Sequence, residues 1–363
     1  MKITKFLALM CAATLAFVGC EGSGNDGPQA SGSAVLTVDK SVATMGDTIT
    51  FTVTNEGVDV TAESKIYNKD GYQEITNPFV VEADGLYEFY AVYGTSITKT
   101  IKVSVAPSIP ELPEDDDPTN TSFNHRVLLV DHTGTMCGYC PLMMEALREV
   151  AATEGYHDKF YEAMSHTFNN DDPSWSRSAE VVTAHYGALV SGYPSLTFNF
   201  YHPASASYYA TDIKSQIDAL WKADGADAGV MAATTGGNTV VAVAAEVKAK
   251  VTGDYRITAW LLEDDIYAPQ SGTSDESFYT HNNSIRHIAS SDPITGFDLG
   301  TIEAGATAYK EMALEIQSAK WNKEKLKVLV IVTARNSSNR YEIVAKNICP
   351  INGSVKYDYK IQK

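Results

Sequence analysis

The stretch LLVDHTGTMCGYC, residues 128–140, joins an apolar run to two cysteines that are separated by two residues. The apolar run is typical of a buried strand. After the cysteines, Pro141 suits the first turn of a helix, where its missing N–H has no intrahelical partner. Apolar residues then recur at helical spacing, namely Leu142, Met143, Ala146, Leu147, Val150 and Ala151. The stretch therefore predicts a strand, a cysteine loop and an amphipathic helix in that order.

The spacing of Cys137 and Cys140 is suited to thiol–disulfide exchange, which needs one reactive thiolate and a second thiol close enough to resolve the mixed disulfide. At a helix N-terminus, the positive potential lowers the pKa of the first thiol. Two other interpretations stay open, a static disulfide and half of a zinc site. Zinc would need two further ligands, and no second C-x-x-C or H-x₃₋₅-H pattern follows. We therefore expect no metal and no cofactor beyond the cysteines themselves.

Two further positions give the cysteine loop a family resemblance. Asp131 stands six residues before Cys137, and the sequence Gly192-Tyr193-Pro194 ends fifty-four residues after Cys140. Together with the cysteines, these positions resemble the active site of the thioredoxin family, and the Cys-Gly-Tyr-Cys motif is similar to that of periplasmic disulfide isomerases. The whole pattern looks most like outer-membrane thioredoxin-like lipoproteins.

The resemblance implies a role for each matching residue. Cys137 would attack, and Cys140 would be the buried resolving thiol. Asp131, desolvated below the motif, would accept the proton of Cys140. Pro194, in cis, would face the sulfur atoms. Taken from the residues alone, Asp131 could instead be a surface carboxylate, and the proline an ordinary turn.

Substrate contact is expected from two tyrosines, Tyr193 and Tyr139, because the backbone before the cis proline could pair with an extended substrate strand. Two residues depart from the family pattern: Met136 stands in place of the usual tryptophan, and His132 in place of an aromatic residue. Both changes alter the redox potential and the partner surface. The sequence therefore leaves open whether the chain is a reductant, an isomerase or an oxidant.

Composition shifts along the chain predict its domains. Short alternating runs before and after the centre are typical of β-sandwiches, and prolines with an acidic run indicate a stiff linker. The order of strands and helices in the centre predicts an α/β layer fold. We therefore expect an α/β thioredoxin-like central domain flanked by two all-β domains of the immunoglobulin-like sandwich type. The predicted segments are 1–19 signal peptide, 20–33 lipid-anchored flexible tether, 34–106 immunoglobulin-like β-sandwich, 107–120 Pro/acidic linker, 121–224 thioredoxin-like domain and 225–363 C-terminal β-sandwich.

The N-terminus predicts export. Lys2 and Lys5 precede an apolar run over residues 6–18, which is shorter than the roughly 20 residues that a membrane span needs. The run ends at Phe17-Val18-Gly19-Cys20, which resembles a lipobox and predicts a lipid on Cys20 that attaches the chain to a membrane. The alternative is an ordinary secretory signal. We expect an outer-membrane lipoprotein of the cell envelope, on either membrane face.

Charge and cysteine content narrow the function. A formal charge of −17 repels phosphate backbones, so nucleic acid is not an expected partner. One close cysteine pair among five cysteines is not the pattern of a disulfide-stapled scaffold. We expect a thiol–disulfide oxidoreductase whose partners are the thiols or disulfides of exported proteins. The alternative is a surface protein that binds a ligand or mediates adhesion without turnover.

Overall fold

The computed structural model describes residues 29–200, 202–203, 208–290 and 292–360. The predicted signal peptide and Cys20 lie outside these residues, and the predicted tether lies mostly outside them. Contacts divide the chain into two compact units. The first contains Asp47–Val81 and Tyr87–Val103 with the described residues up to Ser41, and the second contains Ser104–Lys363 with two short earlier segments.

Up to Ala106, the described residues form only strands and short 3₁₀ turns. The strands are β1 (Ala34–Val38), β2 (Val42–Thr44), β3 (Thr48–Ile49), β4 (Phe51–Asn55), β5 (Val58–Asp59), β6 (Lys65–Asn68), β7 (Gln73–Glu74), β8 (Phe79–Val80), β9 (Gly85–Tyr93), β10 (Ser96–Ile97) and β11 (Ile101–Ala106). Strand β4 pairs antiparallel with β1 and β5, and β6 pairs antiparallel with β9. Phe51 and Phe89 are buried and pack with their ring centroids 4.7 Å apart.

The second unit holds the helices and the longest strands. The helices are α1 (Cys140–Ala152), α2 (Arg177–Tyr186) and α3 (Ala210–Leu220). The strands are β12 (Val127–Thr133), β13 (Phe160–His166), β14 (Ser195–Phe198), β15 (His202–Pro203), β16 (Ala228–Gly236), β17 (Val240–Ala249), β18 (Gly253–Glu263), β19 (Ile266–Tyr267), β20 (Thr280–His281), β21 (Ser284–Ile288), β22 (Phe297–Ile302), β23 (Thr307–Glu315), β24 (Leu326–Arg335), β25 (Tyr341–Pro350) and β26 (Ser354–Val355).

One large sheet runs through this unit. Its strand order is β15-β14-β12-β13-β21-β18-β24-β25, with β22 added beside β18. Strand β13 pairs in parallel with β21 at Met164 and Ser284. Strands from the centre of the chain and strands from its C-terminal third therefore belong to the same sheet. A second sheet, with the order β23-β17-β16-β26, packs against the C-terminal part of the first.

The predicted fold class is therefore wrong. Strands make up 43% of the chain and helices 15%, and within the described residues no separate α/β thioredoxin-like domain is evident between two sandwiches. The strands expected within that domain share one sheet with strands expected to form the C-terminal sandwich. The physical reason is that β13 would otherwise leave unpaired N–H and C=O groups along its edge, and β21 pairs with that edge.

The two faces of the large sheet bury different cores. In β18, Ile257, Ala259 and Leu261 pack against the smaller sheet, whereas Trp260 and Leu262 pack with α2 and with Leu128 and Val130 of β12. Helices α1 and α3 cover the other face of β12 through Met143, Leu147 and Ile217. Alternation along the strands thus explains both layers, because successive strand residues face opposite sides.

Local sequence accounts for the helix starts. Helix α1 has Pro141 in its first turn, where a missing N–H is tolerated. Helix α2 begins after Ser176, whose side chain accepts a hydrogen bond from the Ala179 N–H at 3.0 Å. Among the residues that the structure describes, no helix is both long enough and apolar enough to cross a membrane.

Candidate redox site

The cysteine loop connects β12 to α1. All seven residues of β12 are buried, so the loop starts from a rigid central strand. Cys137 and Cys140 form a disulfide with their Cα atoms 5.4 Å apart, and Cys140 is the first residue of α1. The first turn of α1 contains no acidic residue. The positive end of a thirteen-residue helix therefore lies at the disulfide without a carboxylate to offset it.

The surface beside the disulfide is apolar, although the disulfide itself is covered. Met136, Tyr139 and Leu142 are 60%, 69% and 52% exposed. In contrast, Cys137 is only 2% exposed and Cys140 is fully buried. Of the residues expected to contact a substrate, Tyr139 is thus exposed and Tyr193 is half-buried, whereas the cysteines are covered.

Asp131 lies on the face of β12 that α1 covers, two residues after Leu129. Its side chain is fully buried, and neither carboxyl oxygen has a hydrogen-bond partner among the described residues. Burial, together with the nearby Glu162 carboxylate, raises the pKa of Asp131 well above its usual value. Burial also raises the pKa of Glu162 to about 7, although Lys327 and Arg148 lower it. Asp131 can therefore hold a proton at a pH where an exposed aspartate cannot.

The burial of Asp131 has a consequence for stability. Because its pKa is higher in the folded state than in the unfolded state, the free energy of unfolding falls as pH rises from about 4 through the folded-state pKa. Each unit of this difference corresponds to about 1.4 kcal/mol. Asp131→Asn removes the titrating group, so we expect the variant to gain stability relative to the wild type between pH 4.5 and pH 8.

Urea unfolding of both proteins at the two pH values measures this difference. Asp171→Asn is the control, because Asp171 lies in an exposed loop of the same unit. If the free energy of unfolding changed equally between the two pH values in the wild type and in Asp131→Asn, the expectation would be contradicted.

The Tyr193–Pro194 peptide bond is cis. The Tyr193 hydroxyl bonds to the Thr167 hydroxyl at 3.0 Å, and the Tyr193 ring meets the Phe168 ring edge-on with centroids 5.5 Å apart. Phe168 in turn lies against the start of the cysteine loop, since a Cβ added at Gly134 would be 2.5 Å from the Phe168 Cβ. The loop before Pro194 therefore contacts the cysteine loop through one aromatic side chain.

A buried polar cluster supports the cysteine loop from a third direction. The Asp172 carboxylate accepts a hydrogen bond from the Thr135 N–H at 2.7 Å and lies 2.9 Å from His166 Nδ1. Burial by itself would raise the pKa of Asp172, but hydrogen bonds from His166, Thr135 and Ser174 lower it overall. The His166 ring also meets the His281 ring edge-on at 5.0 Å. The cluster ties the start of the cysteine loop to β13 and β20.

Sequence reasoning missed the residues that hold the loop in place. Asp172 stands in a polar loop, and Gln270 stands more than a hundred residues after the cysteines. Neither has a motif, because each acts through backbone groups of the cysteine loop.

Cys349 is buried and forms no disulfide, and burial raises its pKa to about 11. It is therefore poorly suited to thiolate chemistry.

The structure has a disulfide at the start of a helix, and comparisons with known proteins indicate the class of protein that carries it. Residues 189–350 match the family model described as "Outer membrane protein Omp28". The protein is an outer-membrane protein of the cell envelope. The matched region contains Pro194 and Gln270 but begins after Cys137 and Cys140, so the match carries no information on the chemistry of that pair.

Solved structures provide a second comparison. The chain is similar to HBP35 of Porphyromonas gingivalis, with a TM-score of 0.54 and 19% identity over 67% of this chain and 80% of that chain. At this identity the likeness shows the fold alone. A protein from Agrobacterium tumefaciens aligns over 66% of this chain and 98% of its own, at 14% identity and a TM-score of 0.40, which is too low to carry an argument. A comparison with curated proteins returned no match.

Proposed function

We propose that this outer-membrane protein is a thiol–disulfide oxidoreductase that acts on exported proteins through Cys137 and Cys140. The observation that carries the proposal is the position of the pair. The disulfide lies at the positive end of α1, and a buried, unpartnered carboxyl group lies on the sheet face that α1 covers. A static disulfide needs neither a helix end nor a buried acid, whereas exchange uses both.

Each residue then has a chemical task. A substrate thiolate or an external thiol exchanges with the sulfur of Cys137, which becomes the attacking group in the reduced state. Cys140, fully buried in the first helical turn, resolves the mixed disulfide. Asp131 accepts the proton of Cys140 while that thiol becomes a nucleophile. Protein thiols and disulfides are sufficient substrates for this reaction, because the electrons pass between sulfur pairs.

The exposed apolar side chains indicate the kind of substrate. Met136, Tyr139 and Leu142 present an apolar surface beside the disulfide. Folded proteins seldom expose several large apolar side chains together, whereas unfolded chains do. We therefore propose that substrates are incompletely folded exported proteins, held by apolar side chains next to their cysteines.

A titration of thiol reactivity tests the proposal. The reduced Cys140→Ser variant isolates Cys137, and iodoacetamide then labels it across pH 4 to 9. We expect labelling that is half-maximal well below the free-cysteine pKa of about 8.5, because the helix end stabilises the thiolate. Cys349 is expected to stay unlabelled over this range, since it is buried and burial raises its pKa to about 11. Labelling of Cys137 only near pH 8.5 would contradict the proposal.

One observation favours a second function, ligand binding without turnover. Cys137 is only 2% exposed, which suits an inert disulfide that shapes a binding surface. In that case the apolar residues beside the disulfide would bind a partner and no exchange would occur. The same titration separates the two functions, because an inert pair has no need of a stabilised thiolate.

A further inference from the structure

A segment from the C-terminal third of the chain lies on the cysteine loop. Residues 264–283 connect β18 to β21 and contain the paired strands β19 and β20. Directly after β19, residues 268–272 run along the loop that carries the disulfide. We name residues 268–272 the cap.

The cap is bonded to the backbone of the cysteine loop. The side-chain amide of Gln270 donates hydrogen bonds to the carbonyl oxygens of Gly134 at 3.2 Å and Cys137 at 3.0 Å. The Ser271 N–H donates to the Thr135 carbonyl at 2.7 Å. Gln270 is only 2% exposed, so these bonds are made out of contact with water. The Ser271 carbonyl oxygen lies 3.3 Å from the same nitrogen, and because all three neighbours are acceptors, only the NH₂ group can face them.

Gly272 brings the two backbones into close approach. A Cβ added there would lie 2.0 Å from the carbonyl oxygen of Gly138, and Gly272 has a φ of +85°. Both facts require glycine at this position. Any larger residue would push the cap away from the cysteine loop.

Further contacts join residues 264–283 to α1 and to one another. The Arg148 guanidinium of α1 donates to the Ser277 hydroxyl at 3.1 Å and lies 4.0 Å from the centre of the Phe278 ring. The His281 Nε2 atom lies 3.2 Å from the carbonyl oxygen of Ala268. The segment that carries the cap is thus attached, through Ser277 and Phe278, to the same helix that begins at Cys140.

We propose that the cap controls access to the Cys137–Cys140 disulfide, with Gln270 as its positioning residue. This inference concerns access to the sulfur atoms, and it rests on the proposed function only for its biological role. In its closed position, the cap covers Cys137. Loss of the contacts made by Gln270 or Gly272 frees the loop and lets a reductant approach the sulfur.

The reaction that reports access is reduction by a dithiol. A thiolate of dithiothreitol attacks the sulfur of Cys137, the bond between Cys137 and Cys140 breaks, and Cys140 leaves as a thiolate that takes up a proton. The second thiol of the reagent loses its proton and displaces Cys137, so dithiothreitol is oxidised to its cyclic disulfide and the pair is reduced. Glutathione carries out the same reduction with two molecules and is bulkier at its sulfur.

The test measures the rate of disulfide reduction in Gln270→Ala and Gly272→Ala. We expect both variants to be reduced at least tenfold faster than the wild type, with a larger gain for glutathione than for dithiothreitol. The rates are compared under conditions where urea unfolding shows each variant to be folded, so that reduction through the unfolded state does not contribute. Should one variant fail to fold, the other addresses the same contact surface.

Matched controls are available in the same unit. Gly305 has a φ of +83° with nothing within 4 Å of an added Cβ, so Gly305→Ala introduces the same backbone strain without a contact. Gln317→Ala removes an exposed glutamine. Both controls are expected to be reduced at the wild-type rate.

The proposal that the cap controls access would be overturned if folded Gln270→Ala and Gly272→Ala variants were reduced at the wild-type rate by both reagents. The result is independent of turnover. Faster reduction in the variants, with no labelling of Cys137 below pH 8.5 in the titration above, would support the cap while the oxidoreductase proposal fails. Labelling of Cys137 well below pH 8.5, together with wild-type reduction rates in both variants, would support the oxidoreductase and contradict control of access by the cap.

Discussion

Replacing Cys137 with serine is expected to abolish disulfide exchange, lowering the rate of insulin reduction by roughly a hundredfold or more. A serine hydroxyl stays protonated near neutral pH and cannot form a mixed disulfide. Cys140→Ser is expected to behave differently, because Cys137 can still attack but nothing resolves the product. That variant should accumulate a covalent complex with its substrate, visible as a band on a non-reducing gel that a reductant removes.

The third cysteine is the control for this pair of variants. Cys349 is buried and does not take part in the disulfide, so Cys349→Ala should retain the wild-type rate. Insulin reduction that is equally fast in Cys137→Ser and the wild type would contradict an exchange function. The absence of a trapped complex in Cys140→Ser, with Cys137 reactive, would instead indicate that another thiol resolves the intermediate.

The second large effect is expected from Trp260→Ala, which should lower the free energy of unfolding by about 3–5 kcal/mol. Trp260 is fully buried, its ring nitrogen donates to the Pro293 carbonyl at 3.0 Å, and its ring lies 5.8 Å from that of Phe200. It belongs to the core that also contains Leu128 and Val130 of β12. The substitution therefore removes contacts that join the C-terminal strands to the strand before the disulfide.

Hydrogen exchange distinguishes this shared core from two independent domains. With one shared sheet, we expect Trp260→Ala to accelerate exchange of the Leu128 and Val130 amides as much as exchange in β18. Urea unfolding should show a single transition for these strands. Tyr267→Ala is the control, because Tyr267 is 67% exposed and its loss should cost under about 1 kcal/mol. Faster exchange confined to the C-terminal strands would contradict a shared core.

Local pattern predicted the main elements of the second unit closely. The strand expected before the cysteine loop spans Val127–Thr133, and the amphipathic helix expected after it spans Cys140–Ala152. These elements were predictable because hydrophobic period and capping are properties of neighbouring residues.

The site was predictable only where a motif marked it. The cysteine spacing indicated the pair, and the disulfide between Cys137 and Cys140 is present. Gln270 carries no signal, since an isolated glutamine in a loop is typical of a solvated side chain. Its role depends on residues 264–283 folding back over a loop more than a hundred residues earlier, and no local pattern reports such a contact.

The sequence by itself determined the elements, the cysteine pair and the helix that begins at it, because each depends on residues close together in the chain. The tertiary structure decided which strands share a sheet. Alternation specifies which side of a strand is buried, but it does not specify the neighbouring strand, and the pairing of Met164 with Ser284 joins segments that the pattern alone assigned to separate domains. The same pairing brings the cap to the disulfide.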